Sequence, residues 1–312
     1  MIIIDKHKRL GSKGALLFVV SILIIPVVHW LIFWLGVNIN SILLAFKLPS
    51  GEWDTNLLVL KTVFKDLMDA SSNEGLGLAL RNTLLYFIKD VLMLPFQLCI
   101  AYFLYKKIAG YKAFQIILYL PGIVSGVAFA NVFSNFIGAS GPLSVLLGAE
   151  PLATFLKQCG IFEVPEFLAN SQYATSTIMF YTIWMGWGGN MLLLCGALAR
   201  VPVEILESAR LDGINPLQEL VHMILPLIWS TLSTLLILQM TKLFTASGPI
   251  LLFTGGLYKT TTIGYWIFSK VAYQGAGAYN TVAATGLLFT LIGAPIILTI
   301  KWLIEKIPVV EY

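Results

Sequence analysis

The chain has 312 residues, of which 58% are hydrophobic and 12% charged, whereas a soluble domain carries about 45–50% apolar and about 25% charged residues. Its mean hydropathy is +0.84, more apolar surface than a water-soluble fold can hide, and disorder is excluded because disordered chains are poor in apolar residues. Cys99, Cys159 and Cys195 are odd in number and far apart, which excludes a disulfide framework and offers no metal-ligand spacing, and the net charge of +4 is too mild for a nucleic-acid partner.

The expected class is an all-α polytopic membrane protein. A transmembrane helix needs about 20 mostly apolar residues, and six stretches qualify: 14–37, 83–104, 114–137, 173–199, 227–250 and 280–300. The first follows Lys6, Lys8, Arg9 and Lys13 but is longer than a signal-peptide core and carries no convincing cleavage site, so it is expected to remain as an anchor. With the N-terminus inside, the inner segments (1–13, 105–113, 200–226 and 301–312) hold 11 Lys/Arg in 61 residues. The outer segments (38–82, 138–172 and 251–279) hold 7 in 109. That asymmetry places both termini in the cytoplasm. Trp34, Trp229 and Trp302 fall near span ends, where interfacial anchors sit. The organisation is therefore a cytoplasmic N-terminus (1–13), an N-terminal span (14–37), an extracytoplasmic segment (38–82), a transmembrane domain (83–300) and a cytoplasmic C-terminus (301–312).

Within 38–82, residues 56–69 place Leu57, Leu60, Phe64 and Leu67 on one helical face and Lys61, Lys65, Asp66 and Asp69 elsewhere. This predicts an amphipathic helix at the outer membrane interface. Residues 151–168 carry a similar apolar set in Leu152, Phe155, Leu156 and Phe162. In span three, Pro121 predicts a kink. Gly122 and Gly126 form a Gly-x-x-x-Gly pair that either permits close helix approach or is a chance feature of a glycine-bearing helix.

The cytoplasmic loop 200–226 is long and well capped. Pro202 suits a first helical position, Glu204 and Glu207 suit the N-terminal end of the helix dipole, and Asp212-Gly213 is a stop. Asn215-Pro216-Leu217-Gln218 reads as a second start, with Asn215 as N-cap and Gln218 reaching back in a capping box. Two helices, 203–211 and 216–225, are predicted, with Pro226 opening span five. Their apolar residues (Ile205, Leu206, Ala209, Leu217, Leu220, Val221 and Ile224) pack either on the protein's own span ends or on a partner.

Glu207-Ser208-Ala209, Asp212-Gly213 and Ile224-Leu225-Pro226 resemble the EAA loop of binding-protein-dependent ABC import permeases, with three residues between Ala209 and Gly213 and ten between Gly213 and Ile224. Ser208 replaces the first Ala, and Ile224-Leu225-Pro226 lacks one intervening residue of the commonest form. Asn82-Thr83, Leu120-Pro121, Gly141-Pro142-Leu143, Trp184 to Gly188, Gly255-Gly256 and Thr260 to Thr262 are similar to stretches of the carbohydrate (maltose-type) branch. The resemblance covers roughly residues 80–300 and implies the ABC type I importer permease fold. It also implies a second, homologous permease in a heterodimer, two cytoplasmic ATP-binding subunits, an extracellular solute-binding protein and a carbohydrate substrate. The chain itself has no Gly-x-x-x-x-Gly-Lys-Ser/Thr loop, because Tyr258 breaks the nearest match. It is thus expected to be no enzyme and to bind no cofactor, with ATP and Mg on partner subunits. On the resemblance, Glu204, Glu207, Ser208, Ala209, Asp212, Gly213, Leu217 and Leu220 form the ATPase-coupling set. Glu207 either pairs with a basic groove on the ATPase or solvates its own helix end. The loop would transmit motion as a rigid piece continuous with span five.

Charges inside a membrane usually face a bundle interior or a water-filled path. Lys89 and Asp90 lie in span two and Lys242 in span five. Asp90 and Lys242 fall at matched depths of about 10–12 Å from the outer surface at 1.5 Å rise per residue, so they are a plausible pair, while Lys89 has the option of snorkelling. Asp90 shares a face with Tyr86 and Gln97, and Lys242 shares one with Gln239 and Ala246. Asn131, Asn135, Trp184, Trp187 and Asn190 add amides and aromatic rings of the kind that bind sugar hydroxyls and cover sugar faces. These residues form either a translocation path or a set of interhelical polar contacts. His29 and His222 have no partner at metal-binding spacing. The alternative function is a stand-alone secondary transporter or channel using Asp90 and Lys242 for coupling. The loop 200–226 argues against it, since such a protein has no use for an ATPase-docking helix pair.

Overall fold

The computed structural model describes residues 13–69, 75–149, 166–211, 213–244 and 248–307. The expected outer helix 151–168 lies almost wholly outside these residues, as do residues 1–12 and 308–312 of the two termini, Asp212 and Ala246. The described residues form helices joined by short turns.

The first span is longer than its apolar run predicts. Helix α1 (Lys13–His29) passes through a π segment (Trp30–Gly36) into α2 (Val37–Leu44). Together Leu16–Leu44 form a 29-residue apolar helix with none of its hydrophobic window buried within the chain. Ser21, Asn38 and Ser41 return their side-chain hydrogen bonds to carbonyls four residues back, at 2.7, 2.6 and 2.9 Å, which satisfies them in an apolar medium. The span is tied at its end by Asn280, whose Nδ2 donates to the carbonyls of Leu44 (3.1 Å) and Lys47 (2.9 Å).

Helix α3 (Leu58–Met68) is the expected amphipathic helix, but turned on its axis. Val63 and Leu67 are buried and Val59 and Leu60 partly so, while Phe64 is exposed. The buried face packs on α4 and the last helix, so the protein's own helices, rather than lipid, set its orientation. Asp54 is buried just before it, and its Oδ2 accepts the Val59 N–H at 2.8 Å. Burial pushes this carboxyl up. The backbone N–H groups of Leu58, Val59 and Asn56 and the charge of Lys61 outweigh it and hold Asp54 below the usual carboxylate range.

Helix α4 (Gly75–Tyr105) is 31 residues long, about 46 Å at 1.5 Å per residue, and begins eight residues before the expected span. The expected third span is divided into α5 (Tyr111–Ile123) and α6 (Gly126–Ile137). Pro121 stays inside α5. The break falls at Val124, in extended conformation, and Ser125, at φ −53° and ψ 123°, and Tyr181 Oη of α8 donates to the carbonyl of Gly126, the first residue of α6, at 3.2 Å. Helix α7 (Pro142–Gly148) follows.

Helix α8 (Ala174–Leu198) is the hub, packing mainly on α4 and α5. The close approach is at Gly188, where an added Cβ would stand 3.2 Å from the Leu118 carbonyl oxygen. A Cβ added at Gly122 or Gly126 would meet nothing within 4 Å, so among the described residues the missing side chains of the Gly-x-x-x-Gly pair admit no close helix approach.

The loop then runs as α9 (Val203–Leu211), α10 (Pro216–Gln218), a π segment (Glu219–Ile224) and α11 (Leu225–Leu227). Helix α12 (Trp229–Thr241) departs at 82° from Pro216–Leu227, with Ile228 between them at φ −98°, ψ 9°. The loop is therefore not continuous with span five but joined to it by a sharp bend just beyond Pro226. That span is also shorter than expected: Lys242 lies beyond α12, in a 3-10 turn (Lys242–Phe244), and is exposed.

A short helix α13 (Ile250–Phe253) and a tight turn lead to α14 (Ile263–Gln274) and α15 (Tyr279–Glu305). Among the described residues five helices are long and apolar enough to cross a membrane, and a sixth results if the bent pair is one span.

Candidate functional site

The loop 200–226 is built from its caps upward. Pro202 stands one residue before α9 rather than inside it, and Glu204 falls in the first turn. Gly213 has φ +78°, the left-handed conformation that ends a helix without a Cβ penalty. Asn215 Oδ1 accepts the Gln218 N–H at 2.9 Å, and Gln218 Oε1 accepts the Asn215 N–H at 3.1 Å. The reciprocal capping box is complete.

The two expectations for the loop's apolar residues each hold for a different face. Leu206, Leu220 and Ile224 are buried in a core formed with Leu98 and Tyr102 of α4 and Leu194 and Leu198 of α8. Leu220 thus belongs to the protein's own interior, a correction to its place in the coupling set. On the other face Leu211 is 88% exposed and Leu217 67%, with Val203 and Val221 also exposed. Glu204, Glu207 and Ser208 are exposed too, and Ser208 Oγ donates to the Ile205 carbonyl at 2.9 Å. The side chain of Ala209 and all of Asp212 lie outside the described residues.

One residue of the loop escaped the sequence reading. Glu219 is 1% exposed, and its Oε2 lies 2.7 Å from Lys106 Nζ, just past the end of α4. The ammonium also sits 4.9 Å from the centre of the Tyr102 ring. Burial pulls the Lys106 ammonium down, but the bond to Glu219 and the nearby Tyr102 side chain outweigh it and hold its pKa above the usual lysine value. The one signal in sequence was an acid placed beside the apolar positions Leu220 and Ile224, which the structure buries with it.

The second candidate region is a polar stripe along α4: Asn82, Tyr86, Lys89, Asp90 and Gln97. Lys89 Nζ lies 2.8 Å from Asp90 Oδ1 and donates to Thr182 Oγ1 on α8 at 3.0 Å. The partner of Asp90 is therefore its neighbour, not the expected Lys242, because α12 stops short of that residue. Gln97 is buried and bridges α4 to α8: its Nε2 donates to the Gly186 carbonyl at 3.0 Å, and its Oε1 accepts from Asn190 Nδ2 at 3.0 Å. Asn190 is thus an interhelical contact, and Trp187 packs against the main core. Gln239 is buried, with an Oε1 that accepts no hydrogen bond among the described residues.

Asn131 and Asn135 are exposed one turn apart on α6. The residues that follow them, Val132 and Phe136, line an apolar cleft of about 400 Å³ with Phe129, Phe133, Phe180 and Trp184. Trp184 stacks edge-on against Phe129 at 4.9 Å.

The turn before α14 is held from α4. Tyr258 and Lys259 both have positive φ (53° and 60°), a strained state for residues with a Cβ. Asn82 Nδ2 fixes it by donating to the carbonyls of Lys259 (2.7 Å) and Thr261 (2.8 Å), and Thr83 Oγ1 accepts the Ile263 N–H at 2.9 Å.

No family model matches the chain. It is 27% identical over 237 residues to the probable ABC transporter permease protein YesP of Bacillus subtilis, covering 72% of this chain and 73% of that one. It is 26% identical to LplB of Bacillus subtilis, covering 91% and 88%, and 25% identical to the maltose/maltodextrin transport system permease protein MalF of Escherichia coli, covering 63% and 39%. The match thus spans about two fifths of MalF. Among solved structures, a bacterial ABC transporter involved in import of the acidic polysaccharide alginate superposes with a TM-score of 0.73 at 22% identity, covering 93% of this chain and 96% of that one. A bacterial alginate ABC transporter in complex with an alginate pentasaccharide-bound periplasmic protein gives 0.69 at 20% identity, covering 94% and 96%. The fold is that of an ABC importer's membrane subunit.

Proposed function

We propose that this chain is the permease subunit of an ATP-driven sugar importer, a multi-pass protein of the cell membrane with both termini in the cytoplasm. With a second permease it forms the path for a sugar or oligosaccharide delivered by an extracellular solute-binding protein. ATP and Mg act on two cytoplasmic subunits beneath it. The relatives and the fold support this reading, and neither favours a stand-alone transporter.

The carrying observation is the two-faced loop. One face is locked into the core by Leu206, Leu220 and Ile224, while the other presents Val203, Leu211, Leu217 and Val221 beside Glu204 and Glu207. Exposed apolar side chains on a rigid, capped element mark a docking surface, and a fixed base transmits force. Gly213 sets the angle between the two helices. The ATPase therefore docks on Glu204, Glu207, Ser208 and Leu217, with Leu211 added and Leu220 withdrawn from the set. Ala209 and Asp212 keep their places in the set by resemblance alone.

The substrate path runs past Asp90, Asn131, Asn135, Trp184 and Lys242. Trp187, Asn190 and Gln239 serve the packing behind it.

The test is co-expression with the companion subunits, pull-down through this chain, and uptake in proteoliposomes. Glu207→Arg and Leu217→Glu are expected to leave membrane insertion intact, weaken ATPase association about 10–100-fold, as loss of a central interface contact does, and abolish uptake. If both variants hold the ATPase subunits and transport normally, the docking assignment is wrong.

A further inference from the structure

Besides the apolar core it shares with α4 and α8, the loop has two features that fix its geometry against the membrane helices. One is the 82° bend at Ile228 into α12. The other is the ion pair between Glu219, the first residue of the π segment, and Lys106, immediately after α4. π-helical turns are rare and concentrate at functional positions. Here the wider turn brings Glu219 and Ile224, five residues apart, towards one face, and both are buried.

A buried ion pair adds little net stability over apolar residues of the same size, and its best-attested use is to fix one register between two elements. This pair fixes the loop to the end of α4. The same helix carries Gln97, bridged to α8, then Lys89 and Asp90, and finally Asn82, which holds the strained turn at Tyr258 and Lys259. A displacement of Glu219 thus reaches Gln97 directly and, past Pro95 inside the same continuous helix, the contacts of Asp90, Lys89 and Asn82. At Ile228 the connection is instead broken by the 82° bend.

We propose that the Lys106–Glu219 pair is the joint through which the coupling loop moves α4, and that both are positioning residues for transport rather than docking residues for the ATPase. The proposal rests on the docking reading above. Losing the pair is expected to separate ATP hydrolysis from solute movement while leaving the subunits assembled.

The experiment uses the full transporter, with its companion permease, ATPase subunits and binding protein, in proteoliposomes, and reads solute moved per ATP hydrolysed. Lys106→Met is expected to keep the ATPase subunits bound while that ratio falls about tenfold, within the usual range of a coupling free energy. Lys106→Arg retains the charge and keeps most of the ratio, and the exchange Lys106→Glu with Glu219→Lys recovers much of it. Lys106→Met with Glu219→Leu removes both charges and preserves packing, so it guards against simple misfolding. It is expected to assemble and remain uncoupled. A normal ratio in that double variant overturns the proposal and leaves the pair a structural contact. Loss of the ATPase subunits from Lys106→Met overturns it too, since the pair would then serve docking. A wild-type chain that holds no ATPase subunits sinks the docking reading itself, which tells the two failures apart.

Discussion

Asp54 shows how one side chain can start a helix from outside it. Leu57, the residue before α3, has φ 53° and offers no capping side chain, so the N–H groups of the first turn depend on the Asp54 carboxylate. Because Asp54 titrates lower in the folded protein than in the unfolded chain, its stabilisation is complete above the ordinary value of 3.8 and is lost as pH falls through the lower folded value. Hydrogen exchange at the Val59 amide should therefore stay slow at neutral pH and quicken below that range. Asp54→Asn should exchange faster at neutral pH and show a weaker acid dependence; an unchanged acid dependence would remove Asp54 as the cap. Gly188 makes the complementary point, since its lack of a side chain is what lets α8 lie against the backbone of α5.

Among elements, the coupling loop owes its form to local chemistry and its seat to packing. The Asn215–Gln218 box satisfies the start of its second helix without help from any other segment. Asn215→Ala should cost about 1 kcal/mol, as N-cap losses do, with fraying confined to residues 215–218 and little change in overall unfolding temperature. Global destabilisation on that substitution would mean that the box holds more than its own helix end. The loop was legible in the sequence because caps, prolines and the left-handed glycine act within a few residues. The bend at Ile228 was not, because Pro226 announces a disturbance without fixing its angle. The division of span three was missed for the same reason: Pro121 pointed to the right stretch, but the break fell three residues on, beside Gly126, whose carbonyl Tyr181 of another helix also binds.

For the whole molecule, the N-terminal span stands apart. It is tied through α2 to α15 and by Asn280, and its apolar surface is otherwise open. Removing residues 1–30 should leave the remaining helices folded, with thermal unfolding in detergent lowered by no more than about 3 °C, the shift expected of roughly 1 kcal/mol in a chain of this size. A collapse of the whole transition would show that the span supports the bundle.

Composition and hydropathy by themselves settled the solvent of this protein and its helical class, and spacing settled the loop, because each rests on interactions no longer than a helical turn or on sums over many residues. The tertiary structure alone decided which polar groups meet. Asp90 faces Lys89, Gln97 joins Asn190, and Glu219 lies buried on Lys106, three outcomes fixed by where helices end and how they rotate against one another. A helical face can be read from periodicity, but its partner is chosen by contacts between segments far apart in the chain, which no local pattern encodes.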